Sequence, residues 1–191
     1  MRRVFVRFIA LAVVPAVLLG WSRGVFSQEA TPAAEQAKNV ILMISDGAGY
    51  NSWLATEYYR GRHGKEIYQG EGWVHVACTT FPLNTGSKPK RSGAQDPAVV
   101  YNPAKAWDEE TGYRYLKATA TDSAAAGTAL AAGIKTYNNA INWTDHDQPM
   151  TGKTLPEIAH RLGKSAGVVT SVQWSHATPA TLGGAHNVSR N

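Results

Sequence analysis

The chain has 191 residues, 43% hydrophobic and 17% charged, with a formal net charge of +5, which suits a globular protein with one modest core. Much of that charge sits at the start. Arg2, Arg3, Arg7 and Arg23 fall within residues 1–27 with no acid beside them, so loss of that segment leaves +1 and excludes a nucleic-acid binder on charge grounds.

Residues 1–27 read as a secretory signal peptide. Arginines come first, an apolar run over residues 8–20 is too short for a stable bilayer anchor, and Ser27 supplies a small residue at the end. An uncleaved anchor is the competing reading, and Arg2-Arg3 leaves both the general and the twin-arginine export routes open. The expected location is periplasmic or extracellular. Cys78 is the only cysteine, so no intramolecular disulfide supports the exported chain. Its place in an apolar run predicts a small core residue.

Residues 28–38 are a polar, loose lead-in. Residues 39–45, NVILMIS, form a continuous apolar run of strand length, as in a parallel sheet covered on both faces. Asp46 follows directly. Residues 50–60 read as a helix stopped by Gly61, and residues 73–81 as another strand. Residues 82–108, broken by Pro82, Pro89, Pro97 and Pro103, read as a solvated surface insertion whose Lys88, Lys90 and Arg91 could meet acidic substrates.

Residues 115–121 are expected to be extended. Thr121-Asp122-Ser123 then caps an Ala-rich helix that ends at Gly133 and the polar Tyr137-Asn138-Asn139 segment. Thr154-Leu155-Pro156-Glu157 is a capping box opening a helix to residue 163. Residues 166–172 read as a second buried strand, laid parallel by that helix. The fold class is therefore α/β, with residues 39–191 as one domain.

The chemistry gathers at strand ends, where open α/β sheets bind ligands. Asp46 ends one strand, while His176 and Thr178 follow the other. Ser123 sits in the first turn of a helix, where free N–H groups favour an anion or an ionising hydroxyl. Carboxylate, imidazole and hydroxyl together suit Zn²⁺ or Mg²⁺. Each residue also has a plain structural role, as a cap or a hydrogen-bonded loop side chain. Asp145-His146-Asp147 reads as solvated surface, and His63, His75, His160 and His186 have no ligand-like spacing.

The segments ILMISDGAG, TATDSAAAGTALAAGIKTY and SHATPATLGGAHNVSR, in this order, resemble the zinc- and magnesium-dependent alkaline phosphatases. That resemblance implies a three-layer sandwich with a largely parallel central sheet, and hydrolysis of phosphate monoesters through a phosphoserine. It implies Asp46 as a carboxylate shared by magnesium and one zinc, and Ser123 as the zinc-coordinated nucleophile. Thr178 takes the hydroxyl position of the magnesium site, and His176 a nearby position where members carry Asp or His. Arg190 is the phosphate clamp and Asp122 positions it.

The resemblance also implies two Zn²⁺ and one Mg²⁺ per complete site, phosphate-monoester substrates and a homodimer in the full-length enzyme, while the short apolar run predicts no stable membrane span after signal cleavage. The family's remaining metal ligands lie in its second half, which has no counterpart in these residues. The sequence is accordingly read as the N-terminal part of a longer enzyme, with later strands missing and no activity alone. Two alternatives remain: a naturally short, non-catalytic phosphate- or metal-binding module, and a metal-free serine hydrolase, for which the G-x-S-x-G elbow is absent.

Overall fold

The computed structural model describes residues 37–108, 110 and 112–190. The expected signal peptide and most of the lead-in lie outside the described residues. The chain divides into two compact units, residues 1–42 and 43–191. Of the first unit, residues 37–42 are described and carry no helix or strand.

The second unit holds six α-helices among the described residues: α1 (Tyr50–Tyr59), α2 (Pro103–Ala106), α3 (Gly112–Thr119), α4 (Ser123–Ala132), α5 (Leu155–Arg161) and α6 (Ala177–Leu182). Short 3-10 turns occupy Ile67–Gln69 and Pro97–Val99. Helix α4 starts where the Asp122 side chain accepts the Ala125 N–H and stops at Gly133, whose φ of 68° is left-handed. Helix α5 carries the full capping box: Glu157 accepts both the Thr154 N–H and its hydroxyl, at 3.1 and 2.7 Å.

Three expected strands differ from the structure. Residues 39–45, 73–81 and 166–172 form no ladder among the described residues, and Val40, Met43, Val76 and Val169 are exposed. A strand satisfies its backbone only through neighbours, and these runs have none here. The only pairings among the described residues are two isolated antiparallel bridges, Ile141 with Asn187 and Trp143 with Pro149. Cys78, expected in the core, is exposed along with its run.

Residues 115–119, expected to be extended, belong to α3 instead. Arg114, Leu116, Lys117 and Ala118 are good helix formers, and the Tyr115 hydroxyl accepts the Asn102 N–H at 2.6 Å, tying the helix to the preceding segment. The 82–108 segment is more than a solvated excursion, since Leu83, Asn84 and Val99 are buried.

Asp145 explains much of that order. Expected at the surface, it is 3% exposed. Its carboxylate accepts the N–H groups of Lys90, Ser92 and Gly93 at 2.9, 3.0 and 2.9 Å, with the Asn84 amide and the Ser92 hydroxyl at 3.3 Å. Burial pushes this carboxyl up, but the N–H donors outweigh burial and leave it below its ordinary value.

Candidate functional site

Helices α4 and α6 pack closely because small residues face each other. Ala124, Ala177 and Ile141 are buried in one cluster with Ala180 against them, and Gly127 lies directly against Thr181. This packing brings Ser123, the first residue of α4, close to Thr178, the second of α6.

Asp46 lies between them. The Ser123 hydroxyl donates to Asp46 Oδ1 at 3.2 Å, and the Thr178 hydroxyl donates to Asp46 Oδ2 at 2.7 Å. One carboxylate thus joins three segments that are far apart in sequence.

A second carboxylate organises the other side. Asp122 Oδ2 accepts the Asn139 N–H at 3.0 Å and lies 3.6 Å from Arg190 Nη1. The Asn139 carbonyl also accepts the Arg190 N–H, at 2.8 Å. The Asn138 side chain accepts the Asp122 N–H at 3.2 Å. Arg190 Nη2 lies 3.5 Å from His176 Nε2. The six residues named from the sequence, Asp46, Asp122, Ser123, His176, Thr178 and Arg190, therefore form two groups joined through the adjacent Asp122 and Ser123. One is the pair of hydroxyls on Asp46, and the other is Arg190 with Asp122 and His176.

Sequence reasoning missed the parts played by Asn138 and Asn139. Asn139 has a φ of 72°, a conformation that Asn tolerates better than most residues, and the Asn-Asn pair after a helix stop was the available signal.

The implied cations find part of a donor set here. Asp46, Ser123 and Thr178 bring carboxylate and hydroxyl oxygens together, which fits the oxygen preference of Mg²⁺. His176 is the neighbouring imidazole suited to Zn²⁺, but it faces Arg190. Among the described residues no group of three or more His, Cys, Asp or Glu is placed to hold a metal ion.

A hydroxyl at a helix start, an oxygen-donor carboxylate and a guanidinium thus stand together, a combination suited to phosphoryl chemistry. The chain belongs to the alkaline phosphatase family, whose model matches residues 37–191. It is 34% identical over 191 residues to alkaline phosphatase 4 of Bacillus subtilis, covering 96% of this chain and 35% of that protein. The alkaline phosphatase of Escherichia coli is 31% identical over 159 residues, covering 82% and 26%. The streptomycin-6-phosphate phosphatase of Streptomyces griseus is 30% identical over 151 residues, covering 76% and 26%. A solved cold-active alkaline phosphatase from Shewanella sp. is similar at 29% identity with a TM-score of 0.44, covering 78% of this chain and 30% of that one. The chain thus spans about a third or less of the length of these relatives.

Proposed function

We propose that this chain carries the nucleophile-bearing part of a phosphate-monoester hydrolase that works through a phosphoserine. The observation that supports this most is the shared carboxylate: Ser123 and Thr178 each donate a hydroxyl to one oxygen of Asp46. Arg190, held by Asp122 and the Asn139 carbonyl, stands ready as a planar fork for two phosphate oxygens.

Ser123 Oγ attacks phosphorus in line, the P–O bond to the alcohol breaks, and the alcohol leaves with a proton. Water then attacks the phosphoserine, releasing phosphate and restoring the hydroxyl. Asp122 orients Arg190, and Asp46 orients Ser123. Asp46, Ser123 and Thr178 would hold Mg²⁺ and part of a Zn²⁺ site, with His176 nearby; such cations supply positive charge that eases loss of the hydroxyl proton and offsets phosphoryl charge.

On this reading the runs at residues 39–45, 73–81 and 166–172 are strands of a largely parallel sheet whose partners, like the remaining metal ligands, come from outside the matched region. The protein is exported, and a homodimer is its working form. Among the described residues no helix is long and apolar enough to cross a membrane.

The test is covalent labelling. Protein bearing this sequence is mixed with labelled phosphate monoester, Zn²⁺ and Mg²⁺, quenched in acid, and its peptides are sequenced by mass spectrometry. Phosphoserine at Ser123, absent in Ser123→Ala, is expected. Label on another residue, or retained in the variant, overturns the reading.

A further inference from the structure

The basic segment of the 82–108 loop borders a cleft of about 550 Å³ whose lining includes Lys88, Pro89, Arg91, Asn139, Val188 and Ser189. This cleft adjoins the proposed phosphate clamp. Ser189 precedes Arg190, and Asn139 is the residue whose N–H and carbonyl bind Asp122 and Arg190.

The loop is held in shape before any ligand arrives. The Asp145 carboxylate fixes the backbone at Lys90, Ser92 and Gly93, and the Asp145 carbonyl accepts the Arg91 N–H at 2.8 Å. Arg91 has a left-handed φ of 58°, a conformation kept only where its surroundings enforce it. Its guanidinium donates to Asp147 at 2.8 Å, and Asp147, which also borders the cleft, in turn accepts the Trp143 indole N–H at 3.1 Å. The negative charge of Asp147 is thereby engaged by two donors. Lys88 is exposed and makes no ion pair with a carboxylate among the described residues. The cleft therefore offers an ammonium group, a positioned guanidinium and the apolar faces of Pro89 and Val188.

We propose that this cleft is a leaving-group subsite that favours phosphate monoesters whose alcohol carries a second phosphate. The proposal rests on the assignment of Arg190 as the clamp for the reacting phosphate. With one phosphate at Arg190, the leaving group lies over Asn139 and Ser189, and its second phosphate meets Lys88 and Arg91. Preorganised donors lose little freedom on binding, which is the advantage of a pinned loop.

Calorimetric titration of protein bearing this sequence with a hexose bisphosphate and with the corresponding hexose monophosphate tests this at low ionic strength. The bisphosphate is expected to bind more tightly. Lys88→Ala is expected to reduce the bisphosphate-to-monophosphate affinity ratio by roughly fivefold, the upper scale of one exposed ion pair, and Lys88→Glu by more. Equal affinities for the two ligands, a ratio unchanged in both variants, or no binding of the bisphosphate each overturns the proposal. Failure of the underlying clamp reads out separately, as monophosphate affinity unchanged in Arg190→Ala.

Discussion

Asp145→Asn removes one acceptor oxygen and the charge while keeping the shape of the side chain. In the native chain Oδ1 accepts from Asn84 and Lys90, and Oδ2 accepts from Ser92 and Gly93. Whichever way the new amide turns, its NH₂ faces N–H donors. Asn84, 1% exposed, cannot turn to water, so the amide oxygen keeps the Oδ1 position and the new NH₂, buried at Asp145, is left facing the Ser92 and Gly93 N–H groups. One buried group left without a partner and the loss of charge-assisted bonds together cost about 2–3 kcal/mol. Urea unfolding measures this, and hydrogen exchange at Lys90, Ser92 and Gly93 locates it. A loss below about 0.5 kcal/mol with exchange unchanged would refute the view that this carboxylate orders the loop.

Gly127→Ala is expected to destabilise by about 1–2 kcal/mol, because a Cβ there meets the buried Thr181 side chain and overpacking outweighs the gain in helix propensity; a melting temperature at or above that of the wild type would show the α4–α6 contact to be looser. Glu157 has its carboxyl depressed to about 2: burial raises it, but hydrogen bonds from Thr154, the Gly152 N–H and His186 more than offset that. Its contribution is present above the ordinary value of 4.5 and lost as pH falls toward about 2, so Glu157→Gln should flatten the acid limb of stability measured by urea midpoints across that window. An acid limb as steep as that of the wild type would place the stabilising carboxylate elsewhere. Chelation with EDTA is expected to abolish labelling of Ser123; labelling that survives it favours a metal-free serine hydrolase.

What the sequence revealed depends on distance along the chain. The capping box at Thr154 and Glu157, the Asp122 cap and the Gly133 stop are each satisfied within a few residues, and each stands where local chemistry placed it. A strand needs a partner from another part of the chain, and the apolar runs at residues 39–45, 73–81 and 166–172 form no ladder among the described residues. Asp145 binds residues more than 50 positions earlier, and nothing beside it in sequence announces that role. The grouping of Asp46, Ser123 and Thr178 is equally non-local. It was legible only because their motifs together resemble a known family, and periodicity alone would have left three unrelated caps.

The alignment of Ser123 with Thr178 depends on directional bonds as much as on apolar burial. The shared cluster is built from alanines and one isoleucine, too small a surface to fix the register of two short helices. The Thr128 hydroxyl on α4 donates to the Ala140 carbonyl and accepts the Asn142 N–H, both at 2.9 Å. The Asn142 side chain then donates to the carbonyls of Thr181 and Ala185, both at 2.8 Å, at and just beyond the far end of α6. Thr128, Ala140, Asn142 and Thr181 are buried, so sliding the helices by a residue would leave donors and acceptors unpaired away from water. Small side chains bring the helices close, and the Thr128–Asn142 network sets where along their length they meet. Asp46 can therefore engage both hydroxyls at once.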